Sequence, residues 1–201
     1  MPRIEAIEIR LHLPLRSPYT FPKRRDMESI QGARSFAIEM HGGQLYGDRP
    51  YSFHLDQVAE IASSYGHQAE TLAFLHDTVE DTSATLDEVR ERFGSFIADC
   101  VALLTDQPGE NRKERKAKTY AKLAEVNDER QLALIVKAAD RLANVRACVA
   151  DGNERLLSVY RGEHEVFKLA AFRAGLCDEL WGELGSLLSL VGPAVPTSGK
   201  S

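Results

Sequence analysis

Along most of the chain, apolar and small residues recur three and four positions apart, which places them on one side of an α-helix. In SIQGARSFAIEMH, the residues Ala33, Phe36, Ala37 and Met40 form such a stripe. Residues 27–190 show neither a series of alternating strands nor a repeat of about 20–50 residues. The pattern therefore predicts an all-α helical bundle.

Helix-ending and helix-starting signals separate the predicted helices. Thr85 stands three residues before Glu88, a capping box that predicts a helix start. Gly66 is a natural helix end, and two short helices are expected around Gly94. The predicted helices contain SIQGARSFAIEMH, HLDQVAEIASSYG, AETLAFLHDTVED, TLDEVRERFGSFIADCVALLTD, ENRKERKAKTYAKLAEV, ERQLALIVKAADRLANVRACV, NERLLSVYRGEHEVFKLAAFRAG and CDELWGELGSLL.

The two ends of the chain differ from this helical part. Residues 1–26 hold four of the eight prolines, although IEIRLHL within them alternates as a short strand would. We predict a loosely ordered N-terminal tail over 1–26, one domain over 27–190 and a disordered C-terminal tail over 191–201. A domain of this size can bury a hydrophobic core.

Composition narrows the class of protein. The formal net charge of -5 argues against a partner bound through a positive field, such as nucleic acid. Cys100, Cys148 and Cys177 are scattered and form no CxxC, which fits reduced, buried thiols in a reducing cytoplasm. No apolar run approaches the ~20 residues of a membrane helix. We expect a cytoplasmic protein without a nucleic-acid or membrane partner, and leave a homo-oligomer open.

The stretch FLHDTVED places four ionisable groups in an apolar surrounding. On one continuous helix, His76 and Glu80 would share a face, and Asp77 and Asp81 would lie one position further round. Buried charged groups are rare unless they are paired or bind a metal. This segment is therefore a candidate metal or catalytic site.

Two further segments carry polar residues of the same kind. Asp140 and Asn144 lie four residues apart in the apolar stretch IVKAADRLANV, and His54 begins the helix in PYSFHLDQVAEI. Two imidazoles and two carboxylates would suit Mn²⁺, Fe²⁺, Co²⁺ or Zn²⁺ better than Ca²⁺ or Mg²⁺. Glu80 and Asp81 could then orient or deprotonate a water at the metal, or could instead cap the turn at residues 82–83.

The histidines and aspartates of these segments occur in the order of the H…HD…D motif of the HD-domain phosphohydrolases. Residues from about 30 to 185 most closely resemble the hydrolase domain of the RelA/SpoT alarmone enzymes and the small stand-alone alarmone hydrolases. The resemblance implies an HD-domain bundle with one Mn²⁺ ion, or another divalent transition metal, held by His54, His76, Asp77 and Asp140. It rests on PYSFHLDQVAEIA, FLHDTVEDTSATLDEVRERFG, LLTD and KAADRLANVRA.

The resemblance also assigns roles to the remaining polar residues. It implies that Glu80 and Asp81 activate the attacking water and that Asn144 shapes the nucleotide site, although Asn144 could simply bond along its helix. No histidine lies between residues 77 and 140, which favours a single metal ion. We further predict substrate contacts for Arg49, and for Lys137 and Arg141, which could equally form surface pairs.

The implied reaction removes the 3′-pyrophosphate of guanosine tetra- or pentaphosphate. One feature leaves the substrate open, because the loop HGGQLYGDRPY is shorter than in the alarmone hydrolases and places Tyr46 where an arginine is expected. The alternatives are hydrolysis of another nucleotide and a nucleotide-binding module without catalysis. Intact Glu80 and Asp81 argue against the second alternative.

Overall fold

The structure, a computed structural model, describes residues 24–189 and is an all-α bundle. The predicted tails lie almost entirely outside these residues, and α1 begins three residues before the predicted domain start at Met27. The domain boundaries therefore stay predictions, whereas the fold class is confirmed. The elements are α1 (Arg24–His41), β1 (Leu45–Tyr46), β2 (Arg49–Pro50), α2 (Tyr51–Ser63), α3 (His67–Leu75), α4 (Thr78–Asp81), α5 (Leu86–Phe93), α6 (Ser95–Leu104), α7 (Arg112–Ala124), a 3-10 turn (Glu129–Gln131), α8 (Leu132–Ala150), α9 (Glu154–Ala171) and α10 (Asp178–Ser189).

Helix α8 is the centre of the bundle. It packs against α2, α3, α6, α9 and α10, and most of its residues are buried. Because α8 is apolar on most of its faces, the surrounding helices can cover it on nearly every side. Leu55 on α2, Leu72 on α3 and Leu142 on α8 are fully buried, and each such side chain contributes roughly 1.5–3 kcal/mol. This packing brings the polar residues of α2, α3 and α8 together.

The predicted single helix over residues 69–81 is wrong, because it breaks in the middle of the HD pair. Helix α3 ends at Leu75, Asp77 has φ -102° and ψ -4°, and α4 is a single turn. The His76 ring donates from Nδ1 to the carbonyl oxygen of Ala73 at 2.7 Å. Helical periodicity continues through this segment and therefore does not indicate the break.

A short hairpin precedes α2 and was not predicted. Its strands pair Leu45 with Pro50 and Tyr46 with Arg49. Gly47 has φ +64°, and positive φ at the first turn position is what a type II′ hairpin requires. With only two residues on each side, the hairpin is too short for an alternating pattern to reveal it. It places Tyr46 beside α2.

Several local signals are confirmed. Thr85 and Glu88 form both hydrogen bonds of the capping box at the start of α5. Gly94, at φ +88°, separates α5 from α6 as expected. The three cysteines are free and buried. Among residues 24–189, no helix combines the length and the apolar character needed to cross a membrane.

Candidate active site

Four side chains from three helical segments converge in the interior. His54 on α2, His76 after α3 and Asp140 on α8 each offer a ligand atom within 4.8 Å of the others. Asp77 joins them, since its Oδ2 lies 3.0 Å from His76 Nε2 and 3.7 Å from His54 Nε2. Asp140 Oδ1 lies 3.4 Å from His54 Nε2 and 3.7 Å from His76 Nε2. All four residues predicted as ligands therefore meet.

The donor atoms of this cluster fit a divalent cation. His76 is completely buried, and its Nε2 has no hydrogen-bond partner among the described residues. Because its Nδ1 donates to Ala73, Nε2 is directed into the cluster and offers a lone pair there once it has lost its proton, the arrangement common for metal-binding histidines. Two nitrogen and several carboxylate oxygen donors suit a divalent transition metal. The cluster is therefore a candidate site for such an ion.

The electrostatics of the cluster favour a cation. Burial lowers the pKa of His76, but the carboxylates of Asp77 and Asp140 outweigh it and raise this pKa to about 10. Burial opposes ionisation of both carboxyls as well, yet His76 and Lys137 hold the pKa values of Asp77 and Asp140, respectively, well below the usual range. A group of carboxylates that stabilises positive charge this strongly provides a favourable environment for a metal ion.

Lys137 is the cationic side chain inside this cluster. It is only 6% exposed, and its Nζ lies 3.5 Å from Asp140 Oδ2 and 3.4 Å from the carbonyl oxygen of Leu104. Burial lowers its pKa, but Asp140, Asp77 and further acidic groups raise it above the usual value. Lys137 is therefore charged and pairs with a carboxylate, while its predicted substrate contact stays a prediction.

Glu80 and Asp81 lie at the solvent-exposed rim of the cluster. The Tyr51 hydroxyl lies 2.7 Å from Asp77 Oδ2 and 2.9 Å from Asp81 Oδ2 and donates its one hydrogen between them. Glu80 Oε2 accepts the backbone N–H of Asp106 at 2.7 Å. Burial raises the pKa values of Glu80 and Asp81. Both carboxyls are therefore held in place by hydrogen bonds, and each accepts a proton more readily than a fully solvated carboxylate does.

Sequence reasoning missed Tyr51 and Asp106 as members of the site. Tyr51 is part of the PYSFH motif and Asp106 ends LLTD, so the motifs were found but the roles of these residues were not. Asp106 binds Lys116 at 2.9 Å and Thr119 at 3.0 Å, which ties the loop after α6 to α7. This contact fixes the backbone N–H that Glu80 accepts.

Asn144 lies against Asp140 rather than in open space. Its Nδ2 donates to the Asp140 carbonyl oxygen at 2.9 Å and to Oδ1 at 2.5 Å, and its Oδ1 accepts the Tyr46 hydroxyl at 2.8 Å. The Tyr46 ring is stacked on His54, with centroids 4.6 Å apart and an interplanar angle of 9°. The role of Asn144 in binding nucleotide stays a prediction.

The two predicted arginines are paired with other groups. Arg49 donates to Asp151 at 2.6 Å and lies over the ring of Phe53. Arg141 is buried, donates to Tyr120 Oη at 2.8 Å and lies 3.2 Å from Glu163. None of these contacts joins either arginine to the ligand cluster, and their substrate contacts stay predictions.

A cleft of about 470 Å³ lies between α7 and α9. Arg112, Lys113 and Lys116 from the basic tract RKERKAK line one side, and Val166 and Glu163, which is paired with Arg112, line the other. Lys116 also binds Asp106, whose backbone N–H donates to Glu80. The basic cleft is therefore joined to the rim of the cluster by one hydrogen-bonded path.

Comparison with known families matches the HD domain over residues 33–177. The chain belongs to the HD-domain family. The resemblance noted from the motifs is thereby confirmed, and the converging His54, His76, Asp77 and Asp140 all lie within the matched residues.

Several relatives are named as hydrolases of the alarmone guanosine-3′,5′-bis(diphosphate). The chain is 34% identical over 155 residues to the guanosine-3′,5′-bis(diphosphate) 3′-pyrophosphohydrolase MESH1 of Xenopus tropicalis, covering 71% of this chain and 85% of the relative. It is 34% identical over 152 residues to the guanosine-3′,5′-bis(diphosphate) 3′-pyrophosphohydrolase of Aquifex aeolicus, covering 74% of this chain. There, and in a similar Vibrio cholerae protein, the chain spans only 22% of the relative's length.

A solved structure shares the fold. It is described as a metazoan ortholog of SpoT that hydrolyses ppGpp, and it matches with a TM-score of 0.62. The match covers 84% of this chain and 98% of that one at 23% sequence identity. The likeness confirms the HD-domain bundle.

Proposed function

We propose that the protein is a metal-dependent hydrolase that removes the 3′-pyrophosphate of guanosine-3′,5′-bis(diphosphate). The observation that carries this proposal is the convergence of His54, His76, Asp77 and Asp140, with two further carboxylates at the rim. The names of relatives that match most of this chain supply the substrate. Water is consumed, and guanosine diphosphate and pyrophosphate are the products.

His54, His76, Asp77 and Asp140 would hold one divalent ion, for which we propose Mn²⁺. When bound, such an ion supplies Lewis-acid chemistry, because it lowers the pKa of water and polarises a phosphoryl oxygen. The mixed nitrogen and oxygen donors and the unpartnered His76 Nε2 support this assignment.

Glu80 and Asp81 would move the proton of the attacking water. Tyr51 holds the Asp81 carboxyl and the Asp106 N–H holds that of Glu80, so both are oriented before substrate arrives. Their raised pKa values let each accept a proton more readily than an ordinary carboxylate does. The exposure of both residues at the rim gives water access to them.

The anionic substrate needs cationic groups beside an acidic cluster. Lys137 lies within the cluster, and Arg112, Lys113 and Lys116 line the cleft between α7 and α9, which the contact of Lys116 with Asp106 links to Glu80. Cations at these positions can bind phosphate groups while the apolar wall of the cleft meets the nucleoside. We therefore propose that the cleft between α7 and α9 receives part of the nucleotide.

The test is pyrophosphate release from guanosine tetraphosphate by Mn²⁺-loaded protein, with Asp77→Ala and Asp87→Ala alongside. Asp87 is a surface carboxylate paired with Arg90, so its variant is a matched control. Release by wild type and Asp87→Ala, lost in Asp77→Ala, supports the proposal. No release by a protein that still binds Mn²⁺ refutes the alarmone as substrate.

A second candidate is hydrolysis of another nucleotide. It is favoured by the hairpin, which presents Tyr46 to the cluster while Arg49 is paired with Asp151. No cation of the hairpin therefore faces the site. Guanosine triphosphate and deoxynucleoside triphosphates, assayed under the same conditions, distinguish the two candidates by which substrate has the higher kcat/KM.

A further inference from the structure

We propose that Tyr46 is a positioning residue that acts through Asn144 on the carboxylate of Asp140. The proposal rests on the metal-dependent site proposed above. Tyr46 belongs to the hairpin before α2, whereas Asn144 and Asp140 are one turn apart on α8. The contact between them therefore joins a loop to the central helix at a candidate metal ligand.

The hydrogen bonds all run in one direction, from Tyr46 through Asn144 to Asp140. The Tyr46 hydroxyl donates to Asn144 Oδ1 at 2.8 Å, and Asn144 Nδ2 donates to Asp140 Oδ1 at 2.5 Å and to its carbonyl oxygen at 2.9 Å. A rotated amide would turn its oxygen toward the Asp140 carboxylate and its nitrogen toward the Tyr46 donor. The two acceptors of Asp140 therefore select the orientation of the Asn144 amide, and the Tyr46 hydroxyl donates to the oxygen that this orientation presents.

The bond from Asn144 determines which way the Asp140 carboxylate faces. Oδ1 is directed at the imidazoles, 3.4 Å from His54 Nε2, while Oδ2 lies 3.5 Å from Lys137 Nζ. Without the hydrogen bond that Asn144 donates to Oδ1, the Asp140 carboxylate could rotate more easily toward Lys137. Tyr46 thus helps to keep one oxygen of Asp140 in the position of a ligand.

The ring of Tyr46 is held independently of its hydroxyl. It is stacked on His54 and meets the ring of Tyr51 edge-on, with centroids 6.3 Å apart. Phenylalanine can make both ring contacts. Tyr46→Phe therefore removes the hydrogen bond and leaves the packing over the cluster.

The experiment measures Mn²⁺ affinity directly, from the free-ion signal in electron paramagnetic resonance and without substrate. The variants are Tyr46→Phe, Asn144→Ala and the double substitution, and thermal melts verify that each is folded. Tyr65→Phe is the matched control, since Tyr65 follows the far end of α2, roughly 16 Å along the helix from His54.

Loss of a group that hydrogen-bonds a metal ligand costs about 10–100-fold in affinity, which is the loss expected for Asn144→Ala. Tyr46→Phe, acting one bond further away, should weaken binding about 5–10-fold. Because Tyr46 acts through Asn144, the double variant should bind no more weakly than Asn144→Ala alone. Tyr65→Phe should bind as wild type does.

Either of two results with the variants overturns the inference: wild-type affinity in Tyr46→Phe, or full additivity of the two substitutions. Absence of Mn²⁺ binding by wild type overturns it as well. Failure to hydrolyse the alarmone does not enter this measurement, so it would refute the proposed substrate alone. In the hydrolysis assay, Tyr46→Phe should have a lower kcat than wild type at limiting Mn²⁺, and saturating Mn²⁺ should restore it. A distorted fold would not show this recovery.

Discussion

Replacing Lys137 by methionine tests the balance of charge inside the cluster. Lys137 is buried beside Asp140 and is flanked by the charges of Asp77 and Glu80. Methionine keeps most of the side-chain volume and removes only the ammonium group. The metal-free protein should then be left with a buried carboxylate that has lost its strongest positive partner and keeps the imidazoles of His54 and His76.

The expected loss follows from the distance between the charges. At the 3.5 Å that separates Lys137 Nζ from Asp140 Oδ2, the Coulomb attraction is about 5 kcal/mol for an effective dielectric constant of about 20. The substitution also removes the free-energy cost of burying the ammonium group, which offsets part of this lost attraction. Breaking a buried ion pair from one side typically costs about 3–5 kcal/mol. We expect a loss of this size, equivalent to roughly 6–20 °C in Tm for a protein of this length.

The assay is denaturant unfolding of Lys137→Met with and without Mn²⁺, after chelator treatment. Lys118→Met is the matched control, because Lys118 pairs with Glu114 along α7 but is half exposed. A surface pair of this kind is worth about 0.3–0.5 kcal/mol. Added Mn²⁺ supplies positive charge at the cluster, so it should stabilise Lys137→Met more than it stabilises wild type.

Two outcomes would contradict this reasoning. One is a metal-free Lys137→Met protein about as stable as Lys118→Met, which would mean that the Asp140 carboxylate is not destabilised by losing its partner. The other is an equal effect of Mn²⁺ on wild type and on Lys137→Met, which would place the ion away from Asp140.

Three further predictions concern other contacts. Tyr51→Phe removes a hydrogen bond to charged groups worth about 1.5–3 kcal/mol, so kcat for pyrophosphate release should fall about 10–100-fold. Burial raises the pKa of Glu163, but Arg112 and Arg141 lower it below its unfolded value, so the stability it adds is present above that value and lost as pH falls. Glu163→Gln should therefore be less stable by roughly 1–3 kcal/mol at pH 7, with a gap in the unfolding free energy that narrows toward pH 3. Thr85→Ala removes the capping box and should lower Tm by roughly 2–4 °C with kcat unchanged.

Much of the fold could be predicted because helical spacing and capping are local properties. The stripe on α1, the capping box at Thr85 and the separation at Gly94 depend on residues within a few positions of one another. The break at His76–Asp77 lies inside a stretch whose helical spacing continues, so periodicity did not indicate it. The hairpin was missed because its strands are too short to display a period.

For the candidate site, too, some features could be predicted from the sequence and others could not. The H…HD…D motif identified the four converging side chains, because the residue types reveal the donor chemistry wherever the helices place them. The partners of each group are a matter of packing. Sequence spacing alone could not tell that Arg141 would lie against Tyr120 or that Arg49 would turn to Asp151. It could not reveal Tyr46 above His54 either.

The spacing of the converging residues along the chain has a kinetic consequence. His54 and His76 are 22 residues apart, and Asp77 and Asp140 are 63 apart. Their donor atoms can meet only after α2, α3 and α8 have packed, and such long-range contacts form late in folding. A bound ion should therefore slow unfolding and leave the rate of refolding nearly unchanged. Metal would lengthen the lifetime of the folded protein without helping the chain to fold.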